Sequence, residues 1–355
     1  MKLSASCANV VIHPSQFPEN VRRDLLASLR TRRVNHKFHY DSVKQTQKWL
    51  ALHQAQSPTR NNADCQAIYE KCFAAAAQIK SRRVDVIGLG CGGGQKDTRL
   101  LKRLKARGKE IVYTPCDVSP AMVLTARQTA LAVLPEENCF PFVCDLATTG
   151  DLQKIIREGR RVGGPNRFGT ATRRPSLGGA RLVTFFGMIP NFEPQDILPK
   201  LTALIRPKDF LLFSANLAPG SDYAAGMKKI LAQYDNALTR DWLITFLLDL
   251  GVERRDGQLR FGIENGRFGL KRVVARFDFS RSRRIKVEDE AFSFKAGDSI
   301  QLFFSYRYTP ERVRKILARY QLKVCEQWVV ESEEEGVFLC RKLGGAGYTS
   351  PKSKD

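Results

Sequence analysis

From residue 14 to about residue 80, apolar positions recur every third or fourth residue. VRRDLLASLRTRR, VKQTQKWLALHQ and ADCQAIYEKCFAAAAQIK therefore predict amphipathic helices, with Pro58 and Asn61-Asn62 punctuating the last two. At Arg83 the texture changes. VDVIGL is a short β-branched run closed by a glycine cluster, and DTRLLKRLKARG follows as a helix ending at Gly108. IVYTPCDVS predicts a second strand. Ser119 as N-cap and Pro120 in the first helical position open the helix PAMVLTARQTALAVL. CFPFVCDLA predicts a third strand. Strands alternating with helices at this spacing give a parallel sheet with crossover helices.

Residues 158–180 are rich in Gly, Arg, Pro and Thr and predict a mobile surface loop. ARLVTFFGMIPNF resumes as a strand leading into a loop, EPQDILPKLTALI as a helix and DFLLFSANL as a strand. Residues 221–250 are helical in pattern. Residues 259–305 alternate as strands: LRFGIE, GRFGLKRVVARFDF, IKVEDEAFSF and DSIQLFFSYRY. PERVRKILARY is a helix capped by Thr309, and LKVCEQWVVES with GVFLCRKL predicts a closing antiparallel pair. GGAGYTSPKSKD reads as a disordered tail. No internal repeat is present.

Composition narrows the class. A hydrophobic fraction of 43% supports a real core and excludes a disordered chain. No apolar run approaches the roughly 20 residues of a membrane helix, and the first residues lack the apolar stretch of a secretory signal. The nine cysteines are scattered without a CxxC pair, which predicts free thiols in a reducing cytoplasm. His36 and His39 have no third ligand nearby, so no metal site is expected. The net charge of +22 opens a nucleic-acid reading. The basic clusters (Arg22-Arg23, Arg30 to Arg33, Arg160-Arg161, Arg173-Arg174, Arg281 to Lys286) lack interleaved aromatics, which favours a solvated basic surface.

The chemistry concentrates at strand ends. Gly88-Leu89-Gly90-Cys91-Gly92-Gly93-Gly94 follows the first strand, where glycines let backbone N–H groups approach a ligand. Alone, this is also what a tight strand-to-helix turn needs. The second strand ends in Asp117, about 25 residues further on, where nucleotide-binding sheets place an acid on a ribose diol. The third ends in Cys144-Asp145-Leu146, whose carboxylate suits an adenine amino group. Each acid alone is a common helix cap; the three strand ends in register point to one cofactor crevice. A dinucleotide is disfavoured because Gln95 stands at the sixth position of G-x-G-x-x-G. S-adenosylmethionine is the expected cofactor.

The run Gly90 to Lys96, then YTPCDVS at 113–119 and CDL at 144–146, resembles the histidine-specific methyltransferase family. This is the family of the ergothioneine-pathway enzyme that trimethylates the histidine α-amino group; fungal indole-alkaloid N-methyltransferases are relatives. The resemblance continues through IPNF at 189–192, QYDNALTRDW at 233–242 and DSIQLFFSYRYTPERV at 298–313. It implies an α/β fold: a Rossmann-like methyltransferase domain with a second, α+β substrate-binding domain. The implied division is 1–65 as the N-terminal helical part of the substrate domain, 66–222 as the methyltransferase domain and 223–309 as the substrate-binding domain. Residues 310–343 return to the methyltransferase domain, before a tail at 344–355. By resemblance, Gly90 and Gly92 line the cofactor, Lys96 approaches its carboxylate, Asp117 takes the ribose hydroxyls and Asp145 the adenine. Asn191 and Tyr234 hold the amino-acid end of the substrate, Tyr40 stands beside both ligands and Ser305 lies near the substrate side chain.

This sequence departs from the family at three places. Gly88 replaces the acid two residues before the first cofactor glycine. Phe303 stands where a glutamate recognises imidazole, and Gln56-Ser57-Pro58-Thr59-Arg60 lacks a substrate tyrosine. An imidazole N–H facing Phe303 loses its acceptor, at a cost on the order of 1–3 kcal/mol. The expected activity is N-methylation of a small amine other than histidine, for which Tyr40, Asn191 and Tyr234 supply positioning. Two alternatives stay open: a nucleic-acid or protein methyltransferase using the basic surface, and a non-catalytic descendant that only binds the cofactor.

Overall fold

The computed structural model describes residues 8–57, 62–154, 156 and 179–343. Pro58 to Arg60, the tail from 344 and nearly all of the loop expected at 158–180 lie outside those residues. Among the described residues the strands are β1 (Val11–Ile12), β2 (Arg83–Leu89), β3 (Glu110–Asp117), β4 (Phe142–Val143), β5 (Ala180–Phe185), β6 (Phe210–Asn216), β7 (Gly257–Asn265), β8 (Lys271–Phe279), β9 (Arg283–Val287), β10 (Glu290–Phe294), β11 (Ser299–Arg307), β12 (Leu322–Val329) and β13 (Glu335–Lys342). The helices are α1 (Pro18–Thr31), α2 (Val43–Gln56), α3 (Ala63–Ala76), α4 (Gln95–Ala106), α5 (Pro120–Ala130), α6 (Pro194–Leu204), α7 (Tyr223–Tyr234), α8 (Ala237–Asp249) and α9 (Pro310–Arg319).

Eight strands form one sheet in the order β1-β4-β3-β2-β5-β6-β13-β12. The first six run parallel; β13 and β12 join antiparallel. Alternate residues feed opposite cores. Val84, Val86 and Leu182 pack with α3, α4 and α5, whereas Ile87, Leu89 and Val183 pack with α6 and α9. Both faces are therefore apolar, as a helix-covered parallel sheet requires. The chain order reverses at β2, so the glycine loop opens between β3 and β5. That switch point is where open α/β sheets bind ligands.

The second sheet, β11-β8-β7, is antiparallel, with a separate β9–β10 hairpin. Its core gathers Phe277, Phe279 and Ile300 with Leu29 of α1 and Leu243 and Leu247 of α8. The expected closing pair β12–β13 is present, and Ser119 and Thr309 cap their helices as anticipated.

Local patterning misplaced several boundaries. The third predicted strand shrinks to Phe142–Val143, because Pro141 interrupts the run. IKVEDEAFSF is a hairpin folded at Glu288, whose φ is 52°. GRFGL is a turn between β7 and β8 rather than strand. Ahead of the helical stretch that begins at residue 14, β1 adds to the edge of the large sheet beside β4. No helix among the described residues is long and apolar enough to cross a membrane.

Candidate functional site

The glycine loop leaves β2 with Gly90 and Gly92 at φ 57° and 51°, a region open to glycine at little cost. A Cβ on Gly90 would meet Met188 at 2.5 Å, so the loop after β5 packs directly on it. Trp49 of α2 closes the other side, 3.5 Å from where a Gly92 Cβ would stand. The Gly92 N–H donates to Asp117 Oδ2 at 3.0 Å and the Ser119 N–H to Oδ1 at 3.0 Å. The Val118 N–H bears on the same carboxylate, and its remaining acceptor capacity is open to a ribose hydroxyl. Burial holds this carboxyl above its usual range, opposed by the backbone N–H groups. The Asp117 site thus fits a ribose.

Asp145 is buried and already busy. Its Oδ1 accepts the Ala147 N–H at 2.8 Å; its Oδ2 accepts Thr148 Oγ1 at 3.1 Å and Asn35 Nδ2 at 3.3 Å. Lys37 Nζ lies 3.7 Å away, held by Asp24 at 2.5 Å. One acceptor position remains, on Oδ1. The N-terminal segment covers this edge, since Ser15 Oγ accepts the Asp145 N–H at 3.0 Å.

Lys96, on the first turn of α4, donates to the Tyr69 hydroxyl at 2.8 Å, and that hydroxyl donates to Glu335 at 2.5 Å. Nothing in ESEEEG marked Glu335, which reads locally as one more solvated acid. Gly88 also finds its reason here. The buried Asp97 carboxylate occupies its missing side-chain space and accepts from Tyr113 and Thr184 hydroxyls, each at 2.7 Å.

On the other side of the cleft, Tyr40 follows the 3-10 turn His36–His39. Burial, and secondarily the Asp117 charge, push its phenol above the ordinary range. Its ring lies 5.9 Å from Trp49 and 5.4 Å from Trp242. Trp242 in turn lies 5.7 Å from Phe303, and Tyr234 6.3 Å from Phe303. The Tyr234 hydroxyl donates to Ser305 Oγ at 2.9 Å and accepts from the buried Arg307 at 3.0 Å. Asn191 ends the turn Ile189–Asn191, on which β11 packs.

Tyr40, Tyr234, Phe303 and Ser305 therefore share one aromatic-lined wall. Asp117 adjoins it through Tyr40, and Asn191 approaches through β11. Lys96 belongs to the Tyr69–Glu335 cluster. Trp49, Trp242, His36 and Arg307 were not anticipated as site residues. Trp49 and Trp242 read as apolar-face residues of their helices, so no sequence signal separated them from core.

Several side chains of the basic clusters face acids: Arg22 meets Glu288, Arg30 meets Glu290 at 2.5 Å and Arg32 meets Asp298 at 2.9 Å. A surface cavity of about 590 Å3 lined by Asp235, Arg240, Arg254 and Phe261 lies against the outer strand β7, apart from the glycine loop.

A parallel sheet with a glycine loop and a buried acid at its switch point is the arrangement of a nucleotide-cofactor fold. The family model of SAM-dependent histidine-specific methyltransferases matches residues 21–239 and 264–342. The chain belongs to that family, and it is a SAM-dependent methyltransferase. It is 26% identical over 303 residues to the histidine N-alpha-methyltransferase of Mycobacterium tuberculosis (strain CDC 1551 / Oshkosh), covering 80% of this chain and 82% of that one. Among solved structures it is similar to magnesium protoporphyrin IX methyltransferase from Synechocystis PCC 6803, with 14% identity, a TM-score of 0.44 and coverage of 86% and 98%. A second is 1,6-didemethyltoxoflavin-N1-methyltransferase from Burkholderia thailandensis, with 11% identity, a TM-score of 0.39 and coverage of 96% and 94%.

Proposed function

We propose that this enzyme N-methylates a small amine bearing an aromatic or aliphatic group, and that histidine is not its substrate. The observation that carries the reading is Phe303. Its ring stands among His36, Tyr234 and Trp242, where an imidazole N–H would meet ring faces instead of a carboxylate. The mycobacterial relative named for histidine supports amino-acid-like amines as the starting class.

S-adenosylmethionine, when bound, supplies an electrophilic methyl group on its sulfonium. Asp117 takes the ribose hydroxyls, Gly90 and Gly92 border the cofactor, and Asp145 takes the adenine amino group on Oδ1. Lys96 has a further N–H for the cofactor carboxylate. Tyr40, Asn191 and Tyr234 position the amine so that its lone pair faces the methyl carbon. An aromatic wall disfavours the ammonium's hydration shell and so favours the neutral, nucleophilic amine. The amine's proton passes to solvent after transfer.

The test is release of S-adenosylhomocysteine, with mass-spectrometric detection of methylated product, across histidine and a panel of aromatic and aliphatic amines. Turnover of a panel member at least about tenfold above histidine supports the reading. Histidine as the best substrate overturns it.

A further inference from the structure

Glu335 is a buried carboxylate whose side-chain partners all come from elements far away in sequence. It opens β13 opposite Asn216 of β6 and is 8% exposed. Its Oε1 accepts the Tyr69 hydroxyl of α3 at 2.5 Å, and its Oε2 accepts the Cys65 thiol at 3.5 Å. The Lys96 ammonium of α4 lies 3.9 Å from Oε1. Taking an acid and a cation out of water is costly, and exchanging a buried pair for apolar side chains is often neutral or stabilising. Stability alone is therefore a weak reason for a carboxylate at this position.

The direction of the hydrogen bonds supplies a better one. A phenol has a single hydrogen, and Tyr69 gives it to Glu335. Its oxygen is left to accept, and it accepts from Lys96 Nζ at 2.8 Å. A hydroxyl that donates to a carboxylate becomes a stronger acceptor in turn. Lys96 Nζ also lies 4.3 Å from the centre of the Tyr69 ring and 5.8 Å from that of Phe186. A lysine side chain free in water samples many rotamers; this one is held to a single place. One N–H of the ammonium is engaged by the Tyr69 hydroxyl, which leaves the others for a ligand.

That place is the wall of the cofactor crevice. Lys96 stands two residues after Gly94, at the start of α4. Phe186 follows β5 and leads into Gly187, whose N–H donates to Ser214 Oγ at 2.9 Å, and then into Met188, which packs on Gly90. The ammonium thus lies between the glycine loop and the loop after β5. The Lys96 side chain keeps 22% of its surface exposed, whereas Tyr69 is fully buried.

We propose that Glu335, acting through the Tyr69 hydroxyl, is a positioning residue for Lys96, fixing its ammonium to receive the carboxylate of the cofactor's amino-acid arm. The inference rests on the reading of Lys96 as the residue that meets that carboxylate. It adds two side chains that work from behind Lys96 without binding the cofactor themselves.

The experiment is calorimetric titration of the full-length protein with S-adenosylhomocysteine and with its decarboxylated analogue, which lacks only the carboxylate. The ratio of the two affinities reads the carboxylate contact. Binding of 5′-methylthioadenosine, which lacks the whole arm, reports an intact adenosine site in each variant. The wild type should prefer S-adenosylhomocysteine by about tenfold or more, and Lys96→Met should bring the ratio to within about twofold. Tyr69→Phe, which keeps the ring and removes one oxygen, and Glu335→Leu should each lower the ratio by about threefold to tenfold with 5′-methylthioadenosine still bound. Glu335→Gln still offers the hydroxyl an acceptor and should recover most of the ratio. An unchanged ratio in Tyr69→Phe overturns the proposal. So does a raised ratio in Glu335→Leu, which would mean that Glu335 competes with the ligand for Lys96. Equal losses for all three ligands would mean a structural role only, and would also overturn it. If Glu335→Leu does not fold, Tyr69→Phe and Glu335→Gln decide. If Lys96→Met leaves the ratio of the wild type intact, the reading of Lys96 fails first and the positioning role falls with it.

Discussion

The Asp97 carboxylate fills the space in which a side chain at Gly88 would stand: a Cβ there would lie 2.1 Å from Asp97 Oδ2. The two positions are coupled by volume as well as by chemistry. Gly88→Ala should be strongly destabilising alone, and Asp97→Ala should also cost stability by leaving the Tyr113 and Thr184 hydroxyls unpaired. The double variant should be better than the sum by about 1–3 kcal/mol, measured as a urea double-mutant cycle. Strict additivity would mean the two side chains do not compete for that space.

Asp117 joins the glycine loop to the second strand through Gly92. Asp117→Ala should weaken S-adenosylmethionine binding by about tenfold to a hundredfold or more, from the loss of charge-assisted hydrogen bonds worth about 1.5–3 kcal/mol each. Isothermal calorimetry reads this directly. An unchanged Kd would remove Asp117 from the cofactor site.

Lys37 is enclosed between Asp24 and Asp145, tying α1 to the loop after β4. Lys37→Met removes the buried cation from between two buried acids and leaves Asp24 only the exposed Arg23 guanidinium, 3.4 Å away. Unfolding free energy should fall by about 3–5 kcal/mol at neutral pH. Asp24→Asn combined with Lys37→Met should lose less than the single change. A thermal or urea melt of the three proteins decides it.

Burial pushes the imidazoles down, His36 to about 3 and His39 to about 4, with the Leu302 carbonyl partly offsetting the second. Folded values below the ordinary 6.5 mean that the unfolded chain binds more protons between the two. The stability from burying neutral rings is therefore complete above about pH 6.5 and is lost as pH falls toward the folded values. The slope approaches about 1.4 kcal/mol per pH unit for each ring. Urea midpoints should drop between pH 7 and pH 5, and the drop should be smaller in His36→Phe. An identical pH dependence in the variant would show that His36 titrates freely in the folded protein.

The local code was strong where structure is local. VDVIGL before the glycines, Ser119 before Pro120 and Thr309 before Pro310 each carry their own strand, turn or cap signal within a few residues. The same signals located Asp117 and Asp145, because strand ends and loop acids are set by short-range pattern. Resemblance to the family added Tyr40, Asn191, Tyr234 and Ser305. The boundaries failed where one local rule overrode another, as at Pro141 in the third strand and at Glu288 in the hairpin.

The sequence by itself determined the alternation of strands and helices, the glycine loop and the acids at the strand ends, since hydrophobic period and turn chemistry act over a few residues. Only the tertiary structure decided which distant side chains meet. Tyr69 reaches Glu335 across 266 positions, Lys37 reaches Asp145, and His36 lies against Phe303. A buried acid and a solvated one, or a core ring and a site ring, have the same pattern in sequence. What separates them is the desolvation and the partner that folding supplies.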